Sequence, residues 1–344
     1  MKIMIKKIIL ILLIIILSSS LVVANEAETK LIPIPLVFSS PETGFAIGGM
    51  GMYFRNTELE QLQSRFGAFY TAENQANLFV QAEQEVGDYK YSGQVSYQDW
   101  VNKFYGLNNQ VVFSDGLEYD SQGFSLEVGI SKKVTANSFL GVVSNYESYD
   151  LNLEQKLNQD LPGLSGVDLW GVGVKYTYDT RDRMMNTRTG QYLEYSSLVH
   201  STDSDNYDFS THELDYRVFK QLASEHVLGW QTKIVINNGD VPLQRRESLG
   251  NMRILRGYES DKFLAANKVA TQVEYRYPIY KKWSGTLFAG LGEVYQDFNA
   301  DDLQESWGVG LRYNLDKKLG VNLRMDFAFN SHQSNFYFNV GEAF

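Results

Sequence analysis

Recurring period-two alternation, an aromatic- and glycine-rich composition and an apolar final strand predict an all-β fold, a transmembrane antiparallel β-barrel. The last ten residues, 335–344, read NFYFNVGEAF, with Phe336, Phe338, Val340 and Phe344 expected on one face. A soluble domain usually ends in a polar, frayed tail. A strand ending on Phe fits a sheet closed on itself in lipid, with no free edge. The 344 residues include 22 Tyr, 20 Phe and 28 Gly against 6 Pro and no Cys. That balance suits many long strands with unbroken ladders, and the prolines are expected at strand ends or in loops.

From the N-terminus, residues 1–24 read as a secretory signal. Lys2, Lys6 and Lys7 precede an apolar core, and Val22, Val23 and Ala24 offer a small-residue cleavage site. Residues 25–42 are then expected to be a short periplasmic segment, and 43–344 the barrel of a bacterial outer membrane. No later stretch reaches the roughly 18 apolar residues of a transmembrane helix. The lack of cysteine excludes a disulfide scaffold and thiol chemistry. A net charge of -10 argues against a nucleic-acid partner. A mean hydropathy of -0.28 is compatible with a barrel whose lumen and loops are polar.

Alternation marks strands at 44–54, 65–70, 76–86, 89–98, 123–132, 138–153, 168–178, 191–200, 208–222, 227–237, 269–277, 284–297, 306–314, 320–329 and 335–344. These are fifteen, one short of the even number a single-chain bacterial barrel normally has. Short connections at 222–226, 278–283 and 316–319 read as periplasmic turns, and longer ones at 154–167 and 238–268 as extracellular loops. Parity then asks for a sixteenth strand, placed at 109–114 (NQVVFS). The faces separate as lipid outside and water inside require. Leu323, Met325 and Phe327 oppose Asn322, Arg324 and Asp326; Leu214, Tyr216 and Val218 oppose Glu213, Asp215 and Arg217; Val273 and Tyr275 oppose Gln272 and Glu274.

Three segments go beyond generic patterning: RILRGYESDKF at 253–263, YDTRDRMMNTRTG at 178–190, and NLRMDFAF with FYFNVGEAF at the end. With SPETGFAIGG at 40–49 as a first barrel strand, they resemble the bacterial surface antigen superfamily of BamA/TamA-like outer-membrane barrels, over roughly 41–344. The resemblance implies about sixteen strands and a long extracellular loop, carrying Arg256, Gly257 and Tyr258, that folds back into the lumen. A buried Arg256 needs carboxylate partners. Asp326, Glu274 and Glu213 face inward by parity, beside Arg324. The acidic residue expected on the strand after the loop is replaced by Gly290, with Glu293 pointing away, which makes Asp326 the leading partner. Gly257 is expected to allow close approach of the backbone, and Tyr258 to stack or donate a hydrogen bond. In the second segment Asp179, Arg181, Asp182 and Arg183 are expected to brace a periplasmic turn, with Gly190 starting the next strand.

Relatives implied by the resemblance carry periplasmic POTRA domains before the barrel, whereas 25–42 is too short for one, which places this chain in a barrel-only branch. The implied function is protein insertion or translocation, or lipid transport, at the outer membrane. Its seam would pair glycine-rich 44–54 (Gly44, Gly48, Gly49) with 335–344 (Gly341, Phe344). The alternative is a passive pore or structural surface protein. Expected partners are outer-membrane lipids, the host barrel-assembly machinery during biogenesis and an unidentified periplasmic protein. Neither cofactor nor metal is expected, since no phosphate-cradling loop, ligand cluster or Gly-x-Ser-x-Gly elbow is present. Nor is an enzyme: of the four histidines, His212 shares a face with Ser210, but no acid supports the pair.

Overall fold

The structure, a computed structural model, describes residues 28–57, 60–108, 112–153, 163–164, 166–202, 207–316 and 320–344. The expected signal at 1–24 lies outside the described residues. In chain order the strands are β1 (Glu28–Ser40), β2 (Gly44–Asn56), β3 (Glu60–Thr71), β4 (Ala76–Val86), β5 (Tyr89–Phe104) and β6 (Leu117–Thr135). Then come β7 (Ser138–Leu153), β8 (Val167–Asp179), β9 (Gly190–Thr202), β10 (Phe209–Ala223) and β11 (His226–Gly239). A small hairpin, β12 (Glu247–Ser248) with β13 (Leu264–Ala265), lies inside the long loop. The wall resumes with β14 (Asn267–Tyr280), β15 (Trp283–Tyr295), β16 (Gln304–Asp316), β17 (Val321–Phe329) and β18 (Ser334–Val340). All except β12 and β13 close into one antiparallel barrel of sixteen strands.

The sixteenth strand is not where parity placed it. Of 109–114, residues 109–111 lie outside the described residues, and 112–114 form no strand. Instead Val112 and Phe113 both donate main-chain hydrogen bonds to the Tyr105 carbonyl, at 2.8 and 3.0 Å. The missing strand is β1, in the segment expected to be periplasmic. It pairs with β2 without interruption from Glu28 opposite Asn56 to Ser40 opposite Gly44. Its sequence, LIPIPLVF, is apolar on both faces, so no alternation betrays it. Pro33 and Pro35 lie within this strand and not in loops. Proline is tolerated in a sheet where its nitrogen faces an edge.

β1 has such an edge. It meets β18 at a single ladder pair, Ser39 opposite Phe338. In that register Val37 falls opposite Val340, where β18 stops, so 28–36 run on with no described strand on that side. By contrast, β18 is paired to β17 throughout, from Leu323–Val340 to Phe329–Ser334. The seam is therefore β1–β18, and β2 is an interior strand paired on both sides. Its glycines serve the wall. A Cβ on Gly48 would sit 2.1 Å from the Ala68 carbonyl oxygen, and Gly44 has φ +56° at the β1–β2 turn.

The outer surface is apolar, with Val199, Val172 and Ile47 each at least 60% exposed, as a lipid-facing wall requires. The inner face of β7–β11 is polar: Lys175 lies 3.2 Å from Glu194, and Lys233 lies 2.7 Å from Glu213. No helix among the described residues is long and apolar enough to cross a membrane, so any crossing is made by strands.

Candidate functional site: an inward loop locked to the wall

The loop between β11 and β14 leaves the barrel end opposite the chain terminus and turns back inside. Its own small core consists of Leu249, Leu255, Tyr258 and Ala265 packed on Val294 of β15. Leu255 (φ +51°) and Gly257 (φ +115°) have left-handed backbones flanking Arg256 and turn its side chain down into the lumen. Gly257 is needed for this conformation and not for space, because a Cβ there would make only ordinary 3.5 Å contacts with Ala328 and Phe329.

Arg256 is fully buried. Its Nη1 donates to Asp326 Oδ2 at 2.6 Å, its Nη2 donates to Glu274 Oε2 at 2.7 Å, and the guanidinium lies 3.5 Å from the Phe288 ring centroid. Phe288 thus supplies a cation–π face on the strand where an acid was sought. Arg312 Nη1 donates to the other Asp326 oxygen at 2.6 Å, and Arg276 Nε to the other Glu274 oxygen at 2.8 Å. Arg324 lies 3.6 Å from Asp326 and donates to the Met252 carbonyl in the loop at 2.9 Å. Of the expected partners, Glu213 does not reach Arg256. Parity put it on the inner face correctly, but β10 is too far round the wall and Glu213 is paired with Lys233.

The main chain at Gly257 is held as firmly. Its N–H donates to the Tyr337 hydroxyl at 2.9 Å, and its carbonyl accepts from the amides of Asn330, Gln333 and Asn335 at 2.7, 3.0 and 2.7 Å. Tyr258 donates to the Glu305 carbonyl at 2.7 Å and meets Phe263 edge-on. Ser306 Oγ donates to the Arg256 carbonyl. β17, β18 and the turn between them, beside the seam, therefore carry many of the loop's anchors.

The chain end joins the same network, contrary to the expected lipid-facing register. Gly341 has φ +98°, which breaks β18 and turns the last residues inward. Glu342 accepts from Arg312 Nε at 2.8 Å and from Asn322 Nδ2 at 2.6 Å. Ala343 and Phe344 pack on Phe219 and Val227, and Arg276 Nη2 donates to the Phe344 oxygen at 3.0 Å. Glu342, Phe288, Arg312 and Tyr337 escaped the sequence reading. Only the in-out parity of their strands hinted at them, and for Glu342 that parity ends at Gly341.

The turn at 180–189 lies at the opposite mouth. Asp179 accepts from Arg181 N and Nε, each at 3.0 Å, and Asp182 Oδ1 caps the N–H groups of Arg188 and Thr189 at 2.9 and 3.2 Å. A Cβ on Gly190 (φ +106°) would strike the Thr180 carbonyl at 2.2 Å. Arg183 is paired with Asp182, at 3.3 Å. The turn spans the mouth. Gln63 Nε2 of β3 donates to Met184 Sδ at 3.2 Å, while Arg276 Nη1 donates to the Thr187 carbonyl at 3.2 Å.

At the outer end, the loop tip meets the β1–β2 turn. Ser260 N donates to Glu42 Oε1 at 2.5 Å, and Tyr105 donates to Glu259 Oε1 at 2.7 Å. Burial first, then the Glu42 and Glu259 carboxylates, raise the pKa of Asp261 to about 7. Because this lies above the unfolded value of about 3.9, the docked tip binds more protons than the free one. Docking is thus strongest in acid, weakens as pH rises from about 4 to about 7, and stays weak above it. Hydrogen exchange at 259–263, corrected for intrinsic rates, is expected to be at least severalfold faster at pH 8 than at pH 5. Asp261→Asn should remove most of that difference, since Asn tolerates the φ of +66°.

The fold and the locked loop define a class: sixteen-stranded membrane barrels with an Arg-Gly-Tyr loop inside. The chain belongs to the Omp85 superfamily, whose domain matches residues 48–344. It is accordingly an outer-membrane barrel, as the motif resemblance implied. Among solved structures it is similar to BamA from Haemophilus ducreyi lacking POTRA domains 1–3, with 13% identity and a TM-score of 0.61 over 92% of this chain and 70% of that one. It is also similar to CdiB from Acinetobacter baumannii and from Escherichia coli, each at 11% identity, with TM-scores of 0.60 and 0.59 over 93% of this chain. This chain covers 60% and 63% of those two proteins, under two thirds of their length. At such identities the likeness is one of fold.

Proposed function

We propose that this chain inserts or translocates polypeptide at the outer membrane, with the β1–β18 seam as its gate, and that it is not an enzyme. The observation that carries the reading is the seam, joined by one ladder pair where the adjacent β17–β18 junction is paired throughout. A barrel wall opens where the fewest main-chain hydrogen bonds must break. The loop anchors on β17 and β18 couple that opening to the Arg256 network. A passive pore fits less well, because the loop fills the lumen at one end and the 180–189 turn spans the other.

The test is site-specific photo-crosslinking of the purified chain in liposomes to an added unfolded barrel protein. A probe at Leu31 or Phe336, on the outer face beside the seam, is expected to capture the client. A probe at Val172 of β8, at least as exposed but far round the wall, is not. Equal capture at all three positions contradicts the reading.

A further inference from the structure

Most inner wall strands alternate apolar outside with polar inside, but β1 and β2 do not. The inner side of their membrane-inner half carries Ile32, Ile34, Met52 and Phe54, and with Met184 and Met185 of the 180–189 turn these line a cavity of about 580 Å³. That size lies within the roughly 300–1,000 Å³ of small-molecule sites. At the periplasmic end two cations line it, Lys30 and Arg183. Lys30 is exposed and makes no ion pair with any described residue. β1 and β2 form the wall between this cavity and the bilayer, and along this length β1 has no described strand on its other edge.

We propose that this cavity binds an anionic phospholipid of the periplasmic leaflet, its acyl chain along Ile32, Ile34 and Met52 and its phosphate between Lys30 and Arg183. The occupant follows from chemistry. An acyl chain has no polar groups to satisfy, whereas a peptide threaded here would bury N–H and C=O groups against apolar side chains. Pro33 and Pro35 remove two main-chain donors from β1, which makes its edge a poor template for an added strand. Three methionines give a flexible, polarizable lining that adapts to a mobile chain. Lys30 and the terminal nitrogens of Arg183, whose Nε is paired with Asp182, complement a phosphate. Outside, Leu31 is 60% exposed, so a lipid meets apolar surface on both faces of β1 as it passes the free edge. The proposal does not depend on any client passing through the seam.

The wild-type chain, refolded in detergent and mixed with bilayer lipid containing a diazirine-tailed phosphatidylglycerol, provides the first test. Photolysis and peptide mapping are expected to give crosslinks at Ile32, Ile34, Met52 and Met184. Crosslinks confined to outward residues such as Leu31, Phe45 and Ile47 overturn the proposal, as do crosslinks at the inner positions that diacylglycerol gives equally well. The second test is native mass spectrometry of retained phosphatidylglycerol. One lipid per chain is expected to survive activation that strips the annulus. Its retention should fall at least tenfold in Lys30→Glu/Arg183→Glu and in cavity-filling Ile34→Trp, each checked as folded by heat-modifiable gel mobility. Undiminished retention in both folded variants overturns the proposal, as does displacement of the lipid by a synthetic β-strand peptide at equal concentration.

Discussion

Asp326→Asn is expected to cost more stability than Arg256→Ala in the lumen network, about 3–5 kcal/mol. The reason is a count of charges. The network side chains are the guanidinium groups of Arg256, Arg276, Arg312 and Arg324 and the carboxylates of Glu274, Asp326 and Glu342. Asp326 touches three of the four guanidinium groups, two of them at 2.6 Å, and without it those four share two carboxylates in a buried site. Arg256→Ala removes two charge-assisted hydrogen bonds and the Phe288 contact, yet leaves three arginines against three acids. Its expected cost is smaller, on the order of 2 kcal/mol. Both variants should free the loop, so residues 253–263 become protease-sensitive in each. Urea unfolding of the refolded protein, followed by gel mobility, ranks the two. Arg256→Ala proving the more damaging would contradict this account of the network.

Much of this was readable from the chain, and the failures have physical causes. Period-two alternation placed β17 and β14 so that Asp326 and Glu274 faced inward, and both bond Arg256 in the structure. The same parity put Glu213 inside, but a face says nothing about which residue lies across a lumen. β1 was invisible because it has no polar face and holds two prolines, the two features that normally argue against a strand. The seam therefore lies one strand before β2, and β2 glycines such as Gly49 do not line it. A strand continued to Phe344 would put Glu342 on the apolar face of Phe336, Phe338 and Val340. Only the left-handed backbone at Gly341 reveals that Glu342 and Phe344 turn inward.

The inward turn gives the seam its character. Residues that would have extended β18 along β1 are spent on Arg312, Arg276 and Phe219, which leaves the lower part of β1 without a partner. The Arg256 loop, the chain end and the seam strand are thus held by one set of side chains. A change at the seam is felt at the loop, and the reverse.

The seam-gate reading is met most directly by a covalent lock. The chain has no cysteine, so Ser39→Cys with Phe338→Cys creates one pair at the one place where β1 and β18 are opposed. Client insertion into liposomes is measured with the lock oxidised and again after reduction, beside a control pair at Val309 and Phe327, which are opposed on the continuously paired β16–β17 wall. The expected result is loss of nearly all insertion in the oxidised seam variant, full recovery on reduction, and no effect of the control lock. Undiminished insertion through a seam shown to be fully oxidised would contradict the account.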